Sequence, residues 1–153
     1  MTMEQNVLKL TEILSKLKER YRQADNLMVM TKDMEKAVSM NDLESLEIVL
    51  NMRQKTMEQI DQLNREITET AEGLSKPVKK RVKQLLRQVG DPKRLDDPLE
   101  TEIFEMNQST ARLIQKVIDL DEAVNKRFQR EGAEARKEES QPGQPGGKFE
   151  AKG

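Results

Sequence analysis

The chain contains no His, no Cys and no Trp among its 153 residues, and only 3% of them are aromatic. Without Cys and His there is no disulfide, no thiol nucleophile, no imidazole base and no zinc site that uses either ligand. A ferritin-like di-metal site is excluded in the same way, because it requires a Glu-x-x-His motif. With so few aromatics we expect narrow apolar stripes on long helices rather than a thick globular core.

Two further absences narrow the class of protein. No apolar run resembles a signal peptide or a membrane span, so we expect a cytoplasmic protein. The charges nearly cancel, with 27 Lys and Arg against 28 Asp and Glu, which argues against a general nucleic-acid or membrane-surface binder. The carboxylates fall mostly on polar helix faces, and there is no Gly-rich phosphate loop. We therefore expect a binding or structural protein, not an enzyme, with no cofactor and no metal.

The N-terminal half predicts a hairpin of two long helices. Apolar residues recur from Met3 to Met28 in alternating steps of four and three, a heptad pattern, and the stripe then shifts to Leu27, Met30, Met34 and Ala37. The break falls at residues 39–42, where Asn41 is interpreted as an N-cap and Glu44 as its capping-box partner. The second helix is predicted to run to about Ala71. The short link makes the two helices antiparallel.

The C-terminal half predicts a short helix and a further long one. Ser75 and Pro77 mark the start of a helix over residues 78–89, which Gly90 and Pro92 end. Asp97-Pro98 opens the last helix. Its heptad stripe is Leu99, Ile103, Met106, Thr110, Leu113, Val117, Leu120, Val124 and Phe128. From Gly132 the sequence is polar and rich in Pro and Gly. We predict an all-α domain over residues 1–131 and a disordered C-terminal tail over residues 132–153.

The second helix carries an arginine in its apolar stripe. The stripe reads Leu43, Leu46, Leu50, Arg53, Met57 and Ile60. A lone buried guanidinium would cost several kcal/mol, so Arg53 must pair with an acid or extend its head to water. A fold-back near residue 40 places Arg53 opposite Met28 and one turn from Asp25. We interpret Arg53 as covering the stripe with its stem while its head meets Asp25 or water. The alternative is a contact for a partner's carboxylate or helix C-terminus.

Methionines concentrate toward the turn of the hairpin, and the last helix has extra apolar residues beside its heptad stripe. Flexible thioethers can adapt to several partner helices, although Met also fills gaps in ordinary cores. We hypothesise a groove between these two surfaces that holds a partner's amphipathic helix; the alternative is that both strips pack together in a closed four-helix core. The candidate partner-binding residues are Met28, Met30, Met34, Met52, Met57, Phe104, Ile114 and Ile118.

The segment over residues 76–94 contains eight basic residues and one acid. Such a patch could contact phosphate, but it has no aromatic residue on which a base could stack. We interpret it as a solvated helix that pairs with acids elsewhere in the chain. A nucleic-acid accessory role through this segment is the weakest of the alternatives.

The hairpin turn and the helix after it resemble the flagellar type III export chaperones of the FlgN and FliT families. The matching positions in that stretch are Asp42, Leu43, Glu44, Leu46, Arg53, Gln54, Met57, Ile60 and Leu63. Val117, Leu120 and Asp121 match an apolar-x-x-Leu-Asp pattern in the last helix. Asn41 replaces the family's Gly, and Asn125 lies one residue later than the family's Asn. The resemblance covers residues 5–130.

The resemblance implies a cytosolic chaperone that binds the C-terminal amphipathic helix of a hook–filament junction protein or of the filament cap protein. Binding would mask the client's assembly surface and deliver it to the export gate. Arg53 would then be a family feature of the hairpin. The alternative from another class is a structural coiled-coil homodimer, in which the heptads serve self-association.

Overall fold

The computed structural model describes residues 2–87 and 97–139, with side chains described to residue 130. Within those ranges the chain forms four helices and no strand: α1 (Met3–Ser39), α2 (Leu43–Glu72), α3 (Lys76–Arg87) and α4 (Pro98–Glu139). The all-α prediction is confirmed, including the hairpin of two long helices, the short third helix and the long fourth. None of the described helices is both long and apolar enough to cross a membrane.

The turn between α1 and α2 differs by one residue from its predicted cap. Asn41 adopts a positive φ of 54°, which Asn tolerates better than most residues, and so it ends α1 instead of starting α2. Asp42 is the N-cap: its carboxylate accepts from the Ser45 backbone N–H at 3.1 Å and from the Ser45 hydroxyl at 2.6 Å. A carboxylate here also offsets the positive end of the helix dipole.

The start of α4 follows the prediction, but its end does not. Asp97 caps the helix by accepting from the Leu99 N–H at 2.8 Å, and Pro98 is the first helical residue. The helix then continues through Gly132 to Glu139, further than the apolar pattern predicts. A helix interior tolerates one Gly at a cost of about 1 kcal/mol, so Gly132 alone does not end it. Residues 140–153, the rest of the predicted tail, lie outside the described part of the chain.

The helix α1 lies at the centre of the molecule, with α2 on one side and α4 on another. The helix α2 runs antiparallel to α1. Arg20, halfway along α1, bonds Asn107 of α4, and further along both helices Val124 of α4 packs in one cluster with Met34 and Val38 of α1. The helix α4 is therefore parallel to α1. The backbones of α2 and α4 scarcely approach each other. We call the end of the molecule that holds the hairpin turn its upper end and the opposite end its lower end. The helix α3 packs on the lower part of α4 and on the C-terminal end of α2.

The core is divided into two apolar clusters. The lower one gathers α1, the end of α2, α3 and the start of α4: Leu10, Ile13, Leu14, Leu17, Ile67, Ala71, Leu74, Val82 and Ile103. The upper one lies beside the hairpin turn: Met34, Ala37, Val38, Leu46 and Val124. Buried polar side chains lie between the clusters, among them Thr31, Arg53, Thr56 and Thr110.

Candidate functional site

Arg53 of α2 and Asp121 of α4 form an ion pair that joins the two helices whose backbones stay apart. Arg53 Nη2 lies 2.9 Å from Asp121 Oδ1, and the two side chains are 11% and 32% exposed. The contact is ionic rather than a directed hydrogen bond, since neither Asp121 Oδ1 nor Arg53 Nε has a hydrogen-bond partner in the described residues. Arg53 Nη1 also lies 3.4 Å from the Met34 sulfur of α1.

The interpretation of Arg53 as a partner of Asp25 or of water was wrong. Helical side chains lean toward the N-terminus of their own helix, so Arg53 extends toward the hairpin turn and reaches Met34 instead of the Met28 region. Asp25 is exposed. The sequence left an acidic partner and water open as alternatives; the structure gives Arg53 an acidic partner from α4, whose position relative to α2 the hairpin pattern does not reveal.

Apolar side chains surround this ion pair on both helices. On α2, Leu50 lies three residues before Arg53 and Met57 four residues after it, so both share its face. On α4, Ile118 and Ile114 lie three and seven residues before Asp121. Leu50, Met57 and Ile118 are 45%, 37% and 44% exposed, and Ile114 is partly buried. We call these four residues, with the ion pair between them, the α2–α4 face.

The α2–α4 face extends toward the hairpin turn along α2. Leu43, Leu50 and Met57 follow one another at seven-residue spacing and are all exposed. The sequence pattern predicted them in the core stripe, and that assignment was wrong. The core of α2 keeps Leu46 and Arg53 from that stripe and adds Thr56, Ile67 and Ala71. A seven-residue apolar repeat without a partner helix is the signal that could have identified the face.

The structure separates the predicted partner-binding residues into three groups. By their helical spacing from Arg53 and Asp121, Met57, Ile114 and Ile118 belong to the α2–α4 face. Met34 and Phe104 are buried, 3% and 4% exposed, and belong to the core in this conformation. The remaining three lie elsewhere. Met30 accepts from the Thr56 hydroxyl at 3.5 Å between α1 and α2, Met28 is partly buried on α1, and Met52 is exposed on another side of α2.

A polar cluster closes the lower end of the face. Arg20 of α1 donates to Asn64 Oδ1 of α2 at 2.9 Å and to Asn107 Oδ1 of α4 at 2.6 Å. Asn107 in turn donates to the Leu86 carbonyl of α3 at 3.2 Å. Burial lowers the pKa of the Arg20 guanidinium, because the charged form is desolvated. Asn64 thus links α2 to α1 and, through Arg20, to α4.

The basic segment is partly neutralised within the fold. Lys83 and Lys79 both contact Glu72 of α2, and the hydrogen bond from Lys83 is the main cause of the lowered pKa of Glu72. Arg81 donates to the buried Glu100 of α4 at 3.1 Å. These pairs fasten α3 to its neighbours. Residues 88–94 of the segment lie outside the described ranges.

Comparison with known proteins found no matching family model, no similar curated protein and no similar solved structure.

Proposed function

We propose that this chain is a cytosolic flagellar export chaperone, and that its α2–α4 face binds the C-terminal amphipathic helix of a hook–filament junction or filament cap protein. The observation that carries the proposal is the face itself. Leu50, Met57 and Ile118 are exposed together beside two long helices that leave room between their backbones. In this proposal the chain binds and performs no chemistry.

The proposed mode of recognition is a helix laid along a groove. A client helix presents apolar side chains at steps of three and four, and these would pack on the apolar residues of α2 and α4. The Arg53–Asp121 pair would form the floor, already neutralised, so that an apolar client face does not bury an unpaired charge. Covering this surface on the client would keep it from assembling before export.

The hairpin turn supports the resemblance on which the client assignment rests. The families named above carry Gly-Asp at this point, whereas this chain has Asn41-Asp42. Asn41 has a φ of 54°, a region that favours Gly, and Asp42 caps α2. Asn41 therefore occupies a conformation that Gly adopts freely and Asn tolerates, so Asn is compatible with this position of the turn.

The test is titration calorimetry with C-terminal peptides of junction and cap proteins. Met57→Glu and Ile118→Glu should each weaken client binding by about 2 kcal/mol or more, because each places a carboxylate where a client methylene would be buried. Ile48→Glu is the matched control, since Ile48 is 54% exposed on another side of α2. All three variants should keep the helical circular-dichroism signal. The proposal fails if the two face variants bind every client peptide as the unchanged protein does.

The same exposed heptad favours one alternative function, a structural coiled-coil homodimer. Leu43, Leu50 and Met57 could pack on their counterparts in a second copy. A dimer of this kind unfolds at a temperature that rises with protein concentration. Sedimentation from about 1 to 100 µM would distinguish the two, because a monomer throughout leaves the face free for a client.

A further inference from the structure

Acidic side chains border the α2–α4 face on both helices. Glu47 and Asp61 lie four residues after Leu43 and Met57 on α2, and Glu122 lies four residues after Ile118 on α4. Residues four apart stand on the same side of a helix, so these carboxylates flank the exposed row of Leu43, Leu50 and Met57 on α2 and Ile118 on α4, which we call the apolar strip. All three are exposed.

These carboxylates are not neutralised by the described part of the chain. The salt bridges among the described residues involve other acids, and Arg65, four residues after Asp61, turns instead to Gln62 at 2.7 Å. Between Leu43 and Met57 the only Lys and Arg are Arg53, which is paired beneath the strip, and Lys55, which points to another side of α2. On α4, Lys126 is exposed four residues after Glu122, but no salt bridge joins the two among the described residues. The chain as a whole is almost neutral, so this negative border is a local property.

We propose that the α2–α4 face selects a basic amphipathic helix: one whose apolar stripe is flanked by Lys or Arg. This inference rests on the proposed function and specifies the chemistry of its partner. Lys and Arg side chains on a docked helix would lie beside Glu47, Asp61 and Glu122 while the apolar stripe covers Leu50, Met57 and Ile118. Charges at the border of an interface act chiefly on association rate and on the choice between partners.

The length of the strip defines the length of the partner. Leu43 to Met57 spans two heptads, about 21 Å at the rise of an α-helix. A partner helix of roughly four turns covers this strip and places two or three basic side chains at the acidic border.

The experiment uses three synthetic helical peptides that share one apolar stripe. Their flanking positions are all Lys, all Gln or all Glu, and binding to the full chain is measured by fluorescence anisotropy at low and at physiological salt. We expect the Lys peptide to bind about tenfold more tightly than the Gln peptide, and the Glu peptide most weakly, as three partly screened contacts predict. Added salt should reduce these differences.

Charge-reversal variants locate the effect. The triple variant Glu47→Lys/Asp61→Lys/Glu122→Lys should lose the preference for the Lys peptide and favour the Glu peptide. The control variant Asp25→Lys/Asp33→Lys/Glu105→Lys changes the net charge equally at exposed acids away from the strip. It should keep the order of the three peptides. An equal loss in both triple variants would mean that net charge alone attracts the peptide, and the inference would be wrong.

The Gln peptide separates this inference from the proposed function. If it binds and Ile118→Glu abolishes its binding, the face accepts helices, and an absent charge preference overturns only the basic-helix inference. If Ile118→Glu leaves the binding of every peptide unchanged, both proposals fail. Light scattering at the titration concentrations completes the test, because a stable dimer that excludes all three peptides would assign the face to a second copy.

Discussion

Arg53 and Asp121 are unequally exposed, and so their removal should have unequal effects. The Arg53 side chain is 11% exposed and that of Asp121 is 32% exposed. A carboxylate that loses its partner here can still be hydrated, whereas a buried guanidinium cannot. The larger cost should therefore come from removing the acid.

We expect Asp121→Ala to destabilise the fold by about 2–3 kcal/mol, because it leaves the Arg53 charge buried without a counter-ion. Arg53→Leu should cost only about 1 kcal/mol, since the Leu side chain keeps part of the packing on Met34. Urea unfolding measures both. Exposed Glu105→Ala is the control and should change stability by less than about 0.5 kcal/mol. Equal costs for the two pair variants would contradict this account.

Asp42 should make stability depend on pH. Its hydrogen bonds from the Ser45 hydroxyl and backbone N–H lower the pKa of the carboxyl below its ordinary 3.8. The unfolded chain binds this proton more readily than the folded one. The stabilisation is therefore complete above pH 3.8 and is lost as the pH falls through the folded-state pKa.

The measurement compares the unchanged protein with Asp42→Ala in thermal unfolding from pH 6 down to pH 2. The variant should melt at a lower temperature at pH 6, because α2 loses its cap, and the gap should narrow as Asp42 becomes protonated. Asn51→Ala, at an exposed position that caps no helix and carries no titratable group, should show no such narrowing. A gap of constant size across the range would show that the charge of Asp42 contributes nothing.

At the scale of the helices, the corner where α2 meets α3 is held by α1. The buried Asn6 of α1 donates from Nδ2 to the Ser75 hydroxyl at 3.0 Å and accepts from the Ser75 backbone N–H at 3.1 Å. Both bonds bridge 69 positions of the sequence, so they fix where α3 starts relative to α1.

We expect Asn6→Ala to cost about 1–2 kcal/mol, because it leaves the Ser75 backbone N–H partly buried without a partner. Ser75→Ala removes only one of the two bonds and should cost less, about 0.5–1 kcal/mol. Exposed Asn51→Ala on α2 is the control and should be nearly neutral. Urea unfolding would contradict this account if Ser75→Ala proved the more damaging change.

The helices differ in how well the sequence predicts their buried faces. All nine heptad positions of α4 are buried or partly buried, because one apolar stripe faces one neighbour, α1, along most of its length. The stripe of α2 was misassigned at Leu43, Leu50 and Met57, since its buried face includes Arg53 and Thr56. An apolar pattern cannot identify a buried face that contains polar residues whose ion-pair or hydrogen-bond partners lie on another helix. The Arg53–Asp121 pair could not be predicted for the same reason.

At the scale of the whole molecule, the last described contribution of α4 to the core is Phe128, which packs on the upper cluster. Removing residues 132–153 should therefore shift the melting temperature by no more than about 2 °C, because that sequence has no apolar repeat to bury. Removing residues 128–153 should cost about 1–2 kcal/mol through the loss of Phe128. Thermal unfolding of the two shortened chains decides this. A large fall in melting temperature on removal of residues 132–153 alone would mean that residues beyond 131 contribute to the stability of the fold.

The parallel pairing of α1 with α4 also has a consequence for how the chain is made. Arg20 cannot form its hydrogen bond to Asn107 until Asn107, which lies 87 residues further on, has been synthesised. At ribosomal rates of 5–20 residues per second, that distance is about 4–17 s of synthesis. The hairpin can close during this interval, but the side of α1 that α4 covers stays bare. A nascent chain halted after residue 87 should therefore bind more of an apolar dye than the finished protein does. The nascent chain would therefore expose the apolar side of α1 for several seconds. Until α4 is synthesised, other proteins would have to bind this surface to keep it from water.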